Sequence, residues 1–364
     1  MKVDCKRVLY LPSTPLNVLV CLAHACQQQN QESVLVLIDQ KTVENHPYLE
    51  QLTCLENSPF TQVEMLVGAV EGVSKLALRQ QNFAKLETLL AQYDFDAVAT
   101  GSDRRIEFQF CMNYLSRQNS TKKMEGWYLD DGLYSYAGRK TNFFKDGFNN
   151  ILKKLVYGLW WSEPRQLGTS KWISKAWLFQ PLKAINNIQQ KPLEKIAAQW
   201  FQNTVLQRFS RALVASVVSK EAQEAIPKAD VCILIPHPSN VKKMPDYAQR
   251  LTEVIQLAER QSRQIAIKYH PRFGGDDKFD LARHEHVTVI PTELAFESIL
   301  LLLNESVHII GDVGTALLTA KWLRPKIKVT AVLSNDNAFE NKMRGILQAH
   351  GVHVTYDYQF LEQE

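Results

Sequence analysis

The 364-residue sequence has no CxxC pair, and its six cysteines (Cys5, Cys21, Cys26, Cys54, Cys111 and Cys232) are scattered. A disulfide scaffold packs cysteine more densely into a shorter chain. These thiols read as small hydrophobes in a reduced compartment. Long apolar runs are missing too. The longest candidate, SILLLLNESVHII, is broken by Asn304, Glu305 and His308, well short of the roughly 20 apolar residues of a spanning helix. The N-terminal stretch starts basic, but Asp4, Pro12 and Pro15 interrupt it, so it does not read as a secretory signal. The expected location is the cytoplasm. There is no GxGxxG after the first strand-like run, no GxxxxGK[ST] and no HExxH. These absences weigh against dinucleotide oxidoreductases, P-loop enzymes and zinc proteases. No short-period repeat or low-complexity tract is present.

What is present suits a large folded chain. Hydrophobic residues make up 45% and charged residues 22%, enough for two cores and against gross disorder. The formal net charge of +4 fits an anionic small ligand or an anionic membrane surface better than nucleic acid. Strand-like RVLYL, SVLVLID, DAVATG and WYLDD alternate with helical patterns such as KLALRQQNFAKLETLLAQY. A second alternation begins near Ala229 with DVCILIP, QIAIKYHP, VTVI, SVHIIG and KVTAVL. Strands separated by helices predict parallel sheets. The expected class is α/β, with two Rossmann-like domains facing a central cleft. The expected divisions are residues 1–165, a helical and aromatic connecting segment at 166–228, and residues 229–364. In such sheets ligands gather beyond the C-terminal strand ends.

Three patches carry chemistry. The first is WYLDDGLYSYAGR, with Asp130, Asp131 and Gly132 closing a strand. An Asp-Gly turn accounts for it, and so does a carboxylate base beside a substrate hydroxyl. Its aromatics (Trp127, Tyr128, Tyr134 and Tyr136) suit a sugar or a core. The second is QIAIKYHPRFGG, where Lys268, His270 and Arg272 stand at a strand exit beside two glycines. Lys268 and His270 share a side if the strand persists that far. A solvated strand end accounts for the same residues. The third is LAFESILLLL followed by SVHIIGDVGTALLTA. Glu297 lies there on an apolar helix, and Gly311, Gly314 and Thr315 precede another helix, either as an anion site or as an ordinary cap. Two further loops, LPSTPLN (residues 11–17) and LIPHPSN (residues 234–240), follow strands. His237 in the latter competes with His270 for any histidine role. His284 and His286 around Glu285 read as surface, and Asp276-Asp277 as a loop. No metal site is expected.

In their order, these patches resemble the bacterial two-domain GT-B sialyltransferases, above all the capsule and lipooligosaccharide sialyltransferases and polysialyltransferases. Those enzymes carry an acidic pair followed by glycine, a His-Pro motif and a pair of small hydroxyl residues. Here the matches are Asp130-Asp131-Gly132, Lys268-Tyr269-His270-Pro271, Phe296-Glu297 and Gly314-Thr315, spread over most of the chain. The resemblance implies an inverting transfer of sialic acid from CMP-sialic acid to a bacterial surface glycan. It implies Asp130 as base, and His270 at the phosphate as the leaving group departs. It also implies Lys268 and Glu297 near the cytidine, and Gly314 and Thr315 at the phosphate. No cofactor or metal is required, because CMP-sialic acid is the donor substrate and carries a single phosphate. Gly314 departs from the pattern, since it takes the place of the first hydroxyl. That departure keeps open another CMP-linked keto-sugar such as CMP-Kdo, another nucleotide-sugar-dependent GT-B enzyme, and a non-catalytic glycan-binding relative. A sugar epimerase would also bind the nucleotide-sugar, without a second acceptor. The partners expected are a nucleotide-sugar donor and an oligosaccharide or lipid-linked acceptor, with no nucleic acid. The Trp- and Lys-rich stretches FNNILKKLVYGLWW and SKWISKAWLF add peripheral contact with an anionic membrane, at the inner face of the bacterial inner membrane. They also suit an interdomain core.

Overall fold

The computed structural model describes residues 5–40, 46–68, 74–118, 123–139, 143–242, 244, 246–275, 277–333 and 338–357. Asp4 and Asp276, named above, lie outside the described residues. The chain forms two units, Met1–Leu206 and Gln207–Glu364. Each is built on one parallel sheet.

The first sheet holds β1 (Lys6–Leu11), β2 (Gln31–Gln40), β3 (Phe60–Val67), β4 (Ala97–Thr100), β5 (Glu125–Leu129), β6 (Ile173–Leu178) and β7 (Leu193–Lys195). Their order is β3-β2-β1-β4-β5-β6-β7. Register pairs Leu9 with Val34 on one side and with Val98 on the other. The central strands read as near-continuous apolar runs because both of their faces are buried. Leu9, Leu11, Val34, Val36, Val98 and Phe108 belong to one core cluster. The helix Pro15–Gln27 follows β1 at once. Thr14 caps it by accepting the Asn17 amide at 3.2 Å, and Pro15 fills its first turn.

The segment 166–228 is more than a connection. Its β6 and β7 extend the first sheet, with Trp127 in register with Lys175 and Ala176 with Leu193. Within this segment, expected to be helical, Thr204–Val217 and Lys220–Ala225 are α-helical. Leu193–Lys195 is an edge strand, because pairing with β6 overrides its weak local preference.

The second sheet holds β8 (Val231–Leu234), β9 (Ile265–Lys268), β10 (Val287–Ile290), β11 (His308–Gly311), β12 (Lys328–Val332) and β13 (His353–Thr355). Their order is β10-β9-β8-β11-β12-β13. Val231, Ile233, Ile265, Ile267 and Ile310 pack with Leu251, Val254 and Ile255 of the helix Tyr247–Arg260. In both sheets the strand order reverses once, between β1 and β4 and between β8 and β11. Loops beyond those points frame the crevices where ligands of such folds bind.

Gly126 lets β6 approach β5. A Cβ built on it would stand 2.1 Å from the Trp172 carbonyl oxygen, a backbone atom that cannot swing aside. Gly126→Ala is therefore expected to cost about 3 kcal/mol through overpacking. Thermal melts check it, and an unchanged Tm would refute this account of β5 and β6.

Candidate active site

The acidic pair emerges where β5 ends. The Asp130 amide donates to the Trp177 carbonyl at 2.9 Å, continuing the ladder with β6. The Asp130 side chain is fully buried. Its Oδ1 accepts from Ser135 Oγ at 2.7 Å and from the Gly132 amide at 3.2 Å. Its Oδ2 accepts from the Phe179 amide at 3.1 Å and from the Tyr136 hydroxyl. Tyr128 OH lies 2.9 Å from Ser135 Oγ, and the Gln180 amide donates to Tyr136 OH at 3.1 Å. Gly132 turns the chain at φ +116°, which favours glycine. Burial pushes the Asp130 carboxyl up, and the Tyr136, Ser135, Phe179 and Gly132 donors offset part of that rise.

A carboxylate offers about four lone-pair sites, and Asp130 has four donors. Asp131 differs. It is only partly buried, and its Oδ1 accepts from Thr14 Oγ1 at 2.5 Å. The LPSTPLN loop and the acidic pair thus meet at the C-terminal edge of the first sheet. The aromatics divide as well: Trp127, Tyr128 and Tyr136 are buried, and Tyr134 is exposed. Three of the four serve the core, which leaves Tyr134 able to meet a sugar.

In the second unit, Lys268 ends β9 and is buried. Its Nζ donates to the carbonyls of Tyr269 at 2.8 Å and Thr292 at 3.4 Å. Burial lowers its pKa to about 8, against the opposing fields of Glu293 and Glu297. Glu297 opens the short helix Phe296–Leu300. Burial raises its carboxyl, and Lys268 pulls it back. The expected Lys268–Glu297 pair is therefore coupled in space.

The strand does not persist to His270. It ends at Lys268, so the two side chains part: Lys268 turns into the core while His270 is partly exposed. His270 caps the turn Pro271–Phe273, with Nδ1 accepting the Arg272 amide at 3.1 Å. Burial lowers its pKa first, and His237, Lys268 and Arg272 add to that. His237 and His270 lie with ring centroids 4.8 Å apart, edge to face.

Gly314 caps the helix Thr315–Leu323 in an ordinary extended conformation, φ −158°. A Cβ there would meet only the Ala316 nitrogen, at 3.9 Å. Space therefore does not exclude serine, and the missing hydroxyl is a choice of sequence. Gly314 and Thr315 are both partly exposed, as an anion-binding turn needs. Among the described residues, no group of three or more His, Cys, Asp or Glu is placed to hold a metal ion.

Sequence reasoning passed over Asp312, two residues before Gly314. It lines a small cavity with Leu234, Tyr247, Arg250 and Gly311. Its Oδ2 accepts from Asn240 Nδ2 at 3.4 Å, across the β8–β11 switch. Burial pushes its carboxyl up to about 7. The signal was its place just after β11; a lone Asp in a Gly-rich turn reads as turn chemistry. The folded state keeps this proton up to about pH 7, while an unfolded aspartate releases it near pH 4. Stability is thus fully retained below about pH 4 and falls as pH rises toward 7. Asp312→Asn is expected to raise Tm more at pH 8 than at pH 4. Equal shifts at both would remove Asp312 as the source.

Comparison with known proteins bears on the fold and the family. No curated protein matches the chain. A sialyltransferase GT-B domain from Photobacterium damselae superposes with TM-score 0.58 at 13% identity, covering 96% of this chain and 98% of that one. An alpha/beta-galactoside alpha-2,3-sialyltransferase from Photobacterium phosphoreum gives 0.57 at 10% identity, covering 96% and 98%. A UDP-GlcNAc 2-epimerase from Methanocaldococcus jannaschii gives 0.51 at 14% identity, covering 98% and 90%. These likenesses establish the GT-B fold. The model of the alpha-2,8-polysialyltransferase family matches residues 21–333. With that span matched, the chain belongs to the alpha-2,8-polysialyltransferase family and is a sialyltransferase.

Proposed function

We propose that this sialyltransferase takes its sugar from CMP-sialic acid and delivers it, with inversion, to a hydroxyl of a bacterial surface glycan such as capsule or lipooligosaccharide. In this reading the second unit holds CMP and the first presents the base. The observation that carries the donor assignment is the grouping at the C-terminal edge of the second sheet. The coupled Lys268–Glu297 pair, the His270 imidazole and the Gly314–Thr315 turn gather there. Lys268 and Glu297 suit the polar edge of a cytosine, and His270 and Thr315 suit the phosphate.

In the reaction the acceptor oxygen attacks the anomeric carbon of the sialic acid. The bond from that carbon to the phosphate oxygen breaks, and its electron pair stays on the phosphate, giving CMP. The acceptor proton passes to a carboxylate. A phosphate monoester, with a second pKa near 6, leaves as an anion stabilised by hydrogen bonds. A metal-free reaction follows from that chemistry. Of the two acids, we assign the proton to Asp131 and positioning to Asp130. This reverses the division expected from the resemblance. Its support is the burial of Asp130 and its four donors; Asp131 stands nearer solvent.

A donor-by-acceptor screen with mass detection, with and without EDTA, tests the reading. CMP release with sialyl transfer, unaffected by EDTA, is expected. Release from a UDP-sugar alone favours the epimerase-like alternative, and transfer from CMP-Kdo alone reassigns the donor. Asp131→Asn is expected to lower kcat by about 10²-fold or more with Tm unchanged, and Asp130→Asn to lower Tm by breaking a buried network. The opposite pattern returns the base to Asp130.

The same reading places the enzyme in the cytoplasm, against the inner face of the membrane. The helix Phe143–Tyr157 supports this because it is turned inside out. Ile151, Leu152, Leu155 and Val156 face solvent, with Leu155 79% and the following Leu159 88% exposed. Its polar side is the anchored one. Asn150 Oδ1 accepts the Glu163 amide at 3.1 Å, and Lys153 Nζ donates to Glu163 Oε2 at 2.8 Å. The Tyr157 hydroxyl accepts from Arg79 at 2.6 Å. From Arg139 to Lys175 there are eight Lys or Arg against two Asp or Glu. That net +6 exceeds the +4 of the whole chain, so positive charge is concentrated in the stretch of sequence that carries this apolar face, as suits anionic lipid. Among the described residues no helix is long and apolar enough to cross a membrane. Leu155→Glu combined with Leu159→Glu is expected to abolish binding to phosphatidylglycerol-containing vesicles and to spare transfer to a soluble acceptor. Binding unchanged from wild type would refute the membrane face. A wild-type dimer dissolved by the substitutions would instead assign the face to a second copy.

A further inference from the structure

The chain carries the dipeptide His-Pro a second time among its nucleotide-side loops, and the structure makes the two copies near-replicas. His237-Pro238 follows β8 and His270-Pro271 follows β9. Those strands are neighbours, with Leu234 in register with Lys268. The two histidines have almost the same backbone, φ −55°, ψ 139° for His237 and φ −62°, ψ 139° for His270. Each is followed by proline in the first position of a short helical turn. Each turns its imidazole back on its own loop. His237 Nδ1 accepts the Ser239 amide at 3.1 Å, and His270 Nδ1 accepts the Arg272 amide at 3.1 Å. Ser239 Oγ also lies 2.8 Å from His237 Nδ1. Both rings are partly exposed, and their centroids stand 4.8 Å apart at 70°.

This bonding fixes the tautomers. A nitrogen that accepts an amide hydrogen carries no proton, so a neutral ring holds its proton on Nε2. The site therefore offers two Nε2–H donors side by side. A metal-binding imidazole is arranged the other way, because its second nitrogen donates to a neighbour while the first ligates. Two donors with both Nδ1 atoms engaged suit an anion instead.

We infer that His237 and His270 act together as a twin-imidazole clamp on a single phosphate group, the phosphate of the donor nucleotide. His237 is thereby a second phosphate-binding residue, beside the His270 that the resemblance implies. The identity of the nucleotide rests on the function proposed above; the clamp itself rests on the paired geometry. In the transfer step each Nε2–H donates a hydrogen bond to a phosphate oxygen. No proton need leave either ring, because the departing phosphate takes only the electron pair of the broken bond. Asn240, three residues after His237, ties the same loop to Asp312 across the switch point.

Substitutions separate this role from loop capping. Asparagine at 237 keeps an acceptor for the Ser239 amide but offers no donor at the reach of Nε2. Glutamine restores a donor at that reach. Calorimetric titration of the full chain with CMP and with cytidine reads the difference. His237→Ala and His237→Asn are both expected to weaken CMP binding by about tenfold or more, as for a lost hydrogen bond to a charged group. Cytidine affinity should stay unchanged, and His237→Gln should recover part of the loss. Full recovery by His237→Asn, or a parallel loss of cytidine affinity, would make the residue structural and overturn the proposal. So would Zn²⁺ binding by the wild type that His237→Ala abolishes. If the wild type binds UMP in place of CMP, the donor assignment falls and the same comparison with UMP and uridine decides the clamp. A wild type that binds none of these nucleotides overturns both.

Discussion

The end of β5 in the first unit is organised by one buried carboxylate. Asp130 gathers donors from four places: the Gly132 turn, Ser135, Tyr136 and the backbone at Phe179 beyond β6. An unpaired charge there would be prohibitive, and a fully satisfied one locks the segments that satisfy it. The consequence is directional. With Asp130 pinned inward at the end of β5, the next side chain is delivered to the rim, where Thr14 receives it. A strand can aim one of two adjacent acids outward only if something holds the other in.

The architecture was legible because parallel sheets buried on both faces leave strong marks. RVLYL, SVLVLID and DVCILIP announce themselves as apolar runs, and the helices between them as periodic ones. The edge was less legible. Leu193–Lys195 is too short and polar to stand apart from the helical text around it, and only its partner β6 makes it a strand. Residues 166–206 therefore belong to the first unit, which spelling alone did not reveal.

The candidate site was readable as a set of positions and less so as a set of roles. Lys268, His270, Glu297 and Thr315 all fall at or just beyond the C-terminal edge of the second sheet, as their order along the chain suggested. Roles depend on which atoms are already engaged, and sequence is silent on that. Asp130 and Asp131 are one letter repeated, yet one is enclosed and the other reaches the rim. Asp312 is an ordinary loop residue until desolvation moves its proton into the neutral range. Tyr128 and Tyr136 suited a sugar or a core by sequence alone, and their hydroxyls are committed to the network around Asp130.

The His-Pro turns have a bearing on entropy. A free imidazole samples several rotamers, and ordering it on a ligand weakens the binding it gives. Here a backbone amide two residues on holds each ring, and the proline between them limits how that amide can move. The ordering cost is met when the loop folds, before any ligand arrives. Each ring is set within a tripeptide, so its preorganisation is local: it depends little on distant parts of the chain and is already present in the empty protein.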